Sequence, residues 1–247
     1  MNKRWIKETR GLQLKKNRKK SGLFIVEGRK SVLELMNSDI QLEALFYTQK
    51  YAEEFESHHN FHKVPVKEVS TETALTQAGS LKVNDAAIAV AHIPQEADTT
   101  PENEIVLALD DVRDPGNLGT IIRIADWYGI KKIICSHESA DVYNPKVISA
   151  TMGSFTRIQV SYVDLPAYLD KHQSLPIYGA FMEGENIYQT KISAPAIVVM
   201  GNESNGISEV TSDKINKKIT IPRIGQAESL NVAIATAIIC DNVARHI

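Results

Sequence analysis

The sequence is poor in cysteine, in aromatic residues and in long apolar runs. Its two cysteines, Cys135 and Cys240, are too few and too far apart for a disulfide framework or a cysteine-ligated zinc module. Each sits in apolar surroundings, IIC and AIIC, as expected of buried, reduced thiols in a cytoplasmic protein. Aromatics make up only 6% of the chain, so the core must be mostly aliphatic. No apolar run approaches the ~18 residues of a membrane-spanning helix. The basic N-terminus has no apolar segment behind it and does not read as a secretory signal. His58, His59 and His62 have ligand-like spacing but lie in a polar stretch with no recognisable carboxylate partner, so no metal is expected.

What is present is ordinary globular material: 247 residues, 43% apolar and 23% charged, enough for one large or two small domains with real cores. The net charge of −2 hides an asymmetry. Residues 1–30 hold eleven Lys or Arg against Glu8 and Glu27, a segment of +9 on a body of −11. A basic arm on an acidic body points to a polyanionic partner met at one end. Lys15, Lys16, Arg18, Lys19, Lys20 and Arg29 are the candidate contacts to such a partner, RNA or DNA.

The hydropathy pattern predicts an α/β chain in two modules. In the first, residues 1–93, a helix over Asn2–Lys20 is anchored by Trp5, Ile6, Leu12 and Leu14. Strands are expected at LFIVEG, LEALFYT, HKVPVKEVS (an edge, given Pro65) and AAIAVAHI. Thr71 and Gly79 bracket a helix as cap and stop. Residues 94–104, with two prolines, four acids and no apolar period, read as a linker. In the second module, residues 105–247, IVLALD and AIVVMGN are continuous apolar strands of the kind found in parallel sheets covered on both faces. Helices are predicted over Asn117–Tyr128 with Asn117 as cap, from Asn144-Pro145 to Gly153, and from Leu230 to about Ala244.

Ligands of parallel sheets collect beyond the carboxyl ends of the strands. Three polar, glycine-bearing loops follow strands there: DDVRDPGNLGTIIR, GNESNG and PRIGQAESLN. Gly116 and Gly119 lack the middle glycine of a dinucleotide fingerprint. Arg123 is placed to bind a phosphate with both guanidinium arms. Asp110 and Asp111, at a strand end, are expected to hydrogen-bond loop amides. Ser229 reads equally as a cap for the last helix.

Singly these features are unspecific. Together, in this order, they resemble the SpoU family of the SPOUT class of RNA methyltransferases. NLGTIIR (Asn117–Arg123) is similar to the first motif of that family, VVMGNESNG (Val198–Gly206) to the second, and IPRIGQAESLNV (Ile221–Val232) to the third. FIVEGRKSV (Phe24–Val32) resembles part of its ribosomal-protein-like substrate-binding domain.

The resemblance implies a parallel α/β domain threaded into a deep trefoil knot, against the usual rule, beside a smaller α/β RNA-binding domain. It implies S-adenosylmethionine as cofactor, a 2′-O-methylated ribose as product, ribosomal RNA ahead of transfer RNA as substrate, and a homodimer formed through the C-terminal domain. Site residues carry over to Asn117, Arg123, Glu203, Ser229 and Asn231, and cofactor contacts to Met200, Gly201, Ile221 and Leu230. Ser229 and Asn231 would position the ribose. A guanidinium stays protonated, so Arg123 is read as an anchor and electrostatic stabiliser. The proton acceptor stays open between Glu203 and a phosphate oxygen. Arg223 departs from the apolar residue usual after Ile-Pro. The rival readings are a non-catalytic RNA-binding or ribosome-assembly factor of the same fold, and a knotted enzyme that methylates a base.

Overall fold

The computed structural model describes residues 1–55, 60–95 and 98–245; His58 and His59 lie outside them. The chain packs as two compact units, residues 1–95 with 141–156, and 96–140 with 157–247. No helix among the described residues is long and apolar enough to cross a membrane.

The first unit opens with α1 (Lys3–Gly11) and α2 (Lys15–Ser21). The single helix expected there breaks at Leu12–Leu14. The carbonyls left over at the end of α1 are taken up by side chains from α2. Asn17 Nδ2 donates to Gly11 O, and Arg18 Nη1 donates to Leu12 O at 2.7 Å and Gln13 O at 2.9 Å. Arg18 Nη2 reaches Asp141 at 2.7 Å, and its side chain is 2% exposed. Arg18 therefore does not belong to the exposed basic set in which the sequence placed it, because its charge is consumed inside the unit. Removing one partner of such a buried pair leaves the other uncompensated. Arg18→Met is expected to destabilise the protein by about 3 kcal/mol, read from denaturant unfolding.

Then follow β1 (Leu23–Glu27), α3 (Arg29–Met36), β2 (Leu42–Tyr47), α4 (Gln49–Phe55), β3 (Val66–Val69), α5 (Glu72–Ala78) and β4 (Ala87–His92). The sheet order is β1-β4-β2-β3. β4 runs antiparallel to both neighbours, while β3 is a parallel edge. Pro65, just before β3, cannot donate to a ladder, and an edge tolerates that. Thr71 caps α5 through the Ala74 amide.

The second unit contains a six-stranded sheet in which every pairing is parallel. Its elements are β5 (Ile105–Leu109), α6 (Pro115–Trp127) and β6 (Lys132–Ser136), and, after α7 (Pro145–Thr151), β7 (Gln159–Val163), α8 (Leu165–Lys171), β8 (Ile177–Asn186), β9 (Ala196–Met200), α9 (Glu209–Ser212), β10 (Lys217–Thr220) and α10 (Val232–Ala244). The strand order is β10-β8-β9-β5-β6-β7. β5 and β9 are buried at every position, as continuous apolar strands in the middle of a covered sheet must be. Cys135 and Cys240 are buried, and loss of solvation pushes both thiols up, Cys240 to about 12, so neither is a nucleophile at neutral pH.

The segment carrying α7 leaves its sequence neighbours. Residues 141–156, expected from the sequence in the second module, pack in the first unit. Ile148 and Phe155 join the core around β1, and the Tyr143 and Phe155 rings lie 4.7 and 6.2 Å from that of Phe24.

Candidate active site

The site is built where β5, β9 and β10 end. At the end of β5, the Asp110 carboxylate accepts the Ser208 N–H at 2.8 Å and its hydroxyl at 2.7 Å. This is the amide-binding use expected of acids at a strand end. Asp111 adopts a left-handed backbone, φ 60°. Its carbonyl accepts Asn202 Nδ2 at 2.7 Å, and its carboxylate holds Arg113 at 2.5 Å. Asp114, not Asn117, caps α6, accepting the Asn117 N–H at 2.8 Å with Pro115 at the first helical position. The helix thus starts two residues earlier than expected, and the Asn117 side chain is left free for other work.

After β9 the chain closes into a tight loop. Asn202 and Gly206 exchange main-chain hydrogen bonds of 2.9 Å each. Asn202 Oδ1 accepts the amides of Ser204 and Asn205 at 2.8 and 3.2 Å. This pins Glu203 at the turn. A Cβ at Gly201 would stand 2.2 Å from the Gly206 carbonyl carbon and 2.3 Å from Ile207 N, so only glycine permits this approach.

β10 is an edge strand, separated from β9 by β8. Residues 222–230 nevertheless run as an exposed segment to the start of α10, which packs on α6. Asn231, not Ser229, caps α10, its Oδ1 accepting from Ala233 and Ile234.

These three connections bring three predicted residues into hydrogen-bonding contact. Asn231 Nδ2 donates to Asn117 Oδ1 at 3.0 Å, and Asn117 Nδ2 donates to Glu203 Oε1 at 2.5 Å. The sequence separations across these bonds are 114 and 86 residues. Ser229 and Arg123 stand outside the cluster, both exposed and with side chains that make no hydrogen bond or ion pair to a described residue. Arg123 lies four residues before Trp127, on the same exposed face of α6.

Met200 is 2% exposed and its carbonyl accepts the Asp110 N–H at 2.9 Å, so it offers the site backbone only. Ile221 is half-buried and Leu230 is 48% exposed. Among the described residues, the amides of 223–230 have no main-chain partner. A run of eight open amides beside a glycine cradle and two apolar side chains fits an adenosyl ligand held through backbone groups.

Sequence reasoning missed Asn202, Asp114 and Ser208 as the residues that shape these loops. The Asp-Pro pair at 114–115, a cap followed by a first-turn proline, is the one signal that could have found Asp114.

Residues 104–241 match the SpoU rRNA Methylase family, and residues 3–87 match the MRM3-like substrate binding domain. The chain is 31% identical over 239 residues, 95% of its own length and 93% of the relative's, to the 23S rRNA (guanosine(2553)-2'-O)-methyltransferase RlmP of Bacillus subtilis. A Porphyromonas gingivalis structure assigned to the TrmH family of RNA methyltransferases superposes with a TM-score of 0.89 at 34% identity, covering 100% of this chain and 99% of that one. An AdoMet-bound rRNA methyltransferase from Sinorhizobium meliloti does so with a TM-score of 0.87 at 28% identity, over 98% and 94%. With its parallel sheet, its three convergent loops and a family match over more than half its length, the chain belongs to the SpoU rRNA methylase family.

Proposed function

We propose that this protein is an S-adenosylmethionine-dependent methyltransferase acting on a ribose 2′-hydroxyl of RNA, ribosomal RNA ahead of transfer RNA, in the cytoplasm. One observation carries the reading. The hydrogen-bonded chain Asn231–Asn117–Glu203 joins all three family motifs at one point beside the glycine-cradled loop. A carboxylate and two oriented amides are polar equipment for a hydroxyl substrate.

When bound, S-adenosylmethionine supplies an electrophilic methyl group. Gly201 with the main chain of 221–230 would hold it, with Ile221 and Leu230 as apolar cover and Met200 as backbone support. The chain's remaining tasks are to align the ribose oxygen, accept its proton and stabilise developing negative charge. Arg123 suits the last task, and Ser229, exposed just before α10, is assigned to the ribose. In the first unit Lys15, Lys16, Lys19 and Lys20 are exposed and without a partner among the described residues, open for phosphate contact. Arg29 is paired with Glu54 and contributes less.

A homodimer through the C-terminal domain completes the reading. Apart from Thr236, residues 232–240 of α10 are apolar on all sides, a pattern that demands burial, yet Ile234 is 53% exposed, and Trp127 of α6 is 84% exposed. A second copy covering this face would also lie against Arg123.

The test supplies methyl-labelled S-adenosylmethionine and deproteinised ribosomal or transfer RNA, followed by nucleoside digestion. Label in a 2′-O-methylnucleoside from ribosomal RNA is expected. Label on a base, or binding without label in either RNA, overturns the reading. Label in transfer RNA alone overturns the substrate assignment. Sedimentation at the single-chain mass of 27.4 kDa removes the dimer.

A further inference from the structure

The amide directions in the polar cluster are not free. The Asn231 side-chain atom facing the Ala233 and Ile234 N–H groups, at 2.9 and 3.3 Å, must be oxygen, because a main-chain amide only donates. Its other terminal atom is therefore nitrogen, and it donates to Asn117 at 3.0 Å. The Asn117 atom receiving it is then oxygen, which turns the Asn117 nitrogen toward Glu203 Oε1 at 2.5 Å. A polarity set by the first turn of α10 is thus passed through two amides to one carboxylate oxygen. Glu203 Oε1 is committed as an acceptor. Oε2 has no partner among the described residues.

We infer that Glu203 Oε2 is the proton acceptor for the ribose hydroxyl, and that Asn231 and Asn117 are positioning residues that fix its orientation. The inference rests on the ribose-methylation reading above. As the O2′–H bond breaks, the proton passes to Oε2 and its bonding pair stays on oxygen. That oxygen bonds the methyl carbon, and the methyl–sulfur pair leaves with sulfur as a neutral thioether. The resulting glutamic acid returns its proton to water. Asn231, which the resemblance assigns to the ribose, has its oxygen spent on the helix cap and an N–H on Asn117, so its effect reaches the substrate through Glu203.

The charged groups on the converging segments are Asp110, Asp111, Arg113 and Asp114 after β5, and Arg223 and Glu228 before α10. Asp110 is held by Ser208, Asp111 is paired with Arg113, and Asp114 accepts the main-chain N–H of Asn117 as the cap of α6, while Glu203 is the carboxylate that accepts the Asn117 side-chain amide.

The test compares full-length wild type, Glu203→Gln and Asn231→Asp. Glu203→Gln is expected to lower kcat about 1,000-fold with S-adenosylmethionine affinity unchanged. Its residual rate should climb about tenfold per pH unit as hydroxide takes over, without the acid limb of the wild type. Asn231→Asp keeps a good helix cap but has no N–H to donate. Its melting temperature and RNA KM should match the wild type while kcat falls about 30-fold. In the free protein, labelled at asparagine, the Asn117 side-chain amide protons should move with pH in the wild type and stay fixed in Glu203→Gln. Glu203→Gln within about tenfold of wild type, an acid limb that persists in it, or an Asn117 signal indifferent to the substitution overturns the assignment. A wild-type product methylated on a base overturns the parent reading as well, and the nucleoside digest tells the two failures apart.

Discussion

Gly201→Ala is expected to lower the melting temperature by about 10 °C and to weaken S-adenosylmethionine binding at least about 100-fold. The atoms in the way are main chain. The added carbon would stand 2.2 and 2.3 Å from Gly206 and Ile207 backbone atoms, and neither can rotate aside as a side chain would. Relief requires opening the Asn202–Gly206 pair, which also releases Glu203 from its turn. Gly225 provides the control. It lies in the exposed 222–230 run, and a methyl group added there would meet nothing within 4 Å, so Gly225→Ala should leave stability within about 0.5 kcal/mol. Thermal melts separate the two variants, and calorimetric titration of Gly201→Ala against the wild type reads the loss of methyl-donor binding. Equal melting temperatures for Gly201→Ala and wild type would show that the loop has another packing available.

Arg123→Ala is expected to cut turnover at least about 1,000-fold while leaving the fold and cofactor affinity intact. Its side chain is exposed and supports no other described residue, so there is no packing to lose. What disappears is a permanent cation able to hold a target phosphate and to stabilise an alkoxide as it forms. Lysine at 123 restores charge without the two-armed geometry and should recover only a small part of the rate. Single-turnover rates on RNA, measured beside cofactor titrations, check this. Near-normal turnover in Arg123→Ala would refute the role. Because Arg123 shares its face of α6 with Trp127, a dimer through that face makes the loss depend on both copies. Mixing Arg123→Ala with an excess of Glu203→Gln would then restore activity if each site draws on both chains.

Much of the architecture was legible in the residues. Runs such as IVLAL and AIVVM have no polar face, so only a central, doubly covered position suits them, and both are buried throughout. Thr71, Asn144 and Pro145 mark helix starts by local chemistry, and the helices begin there. Helix starts shifted where two capping residues competed. Asp114 took the cap of α6 from Asn117, and Asn231 took that of α10 from Ser229, because the residue nearer the first free amides wins by geometry that a sequence does not contain. The basic arm was visible as composition, but composition could not separate the exposed Lys15, Lys16, Lys19 and Lys20 from Arg18. That distinction depends on Asp141, 123 residues away.

By itself, the sequence determined the alternation of strands and helices, the parallel sheet and the three loops where a ligand site had to lie. It did so because hydrophobic period, caps and glycine requirements act over a few neighbouring residues. Tertiary structure alone decided that Asn231, Asn117 and Glu203 form one hydrogen-bonded line, that residues 141–156 complete the core of the first unit, and that Arg18 is an internal staple. Those outcomes rest on contacts between residues 86 to 131 positions apart, whose partners are chosen by packing and by the need to satisfy buried polar groups.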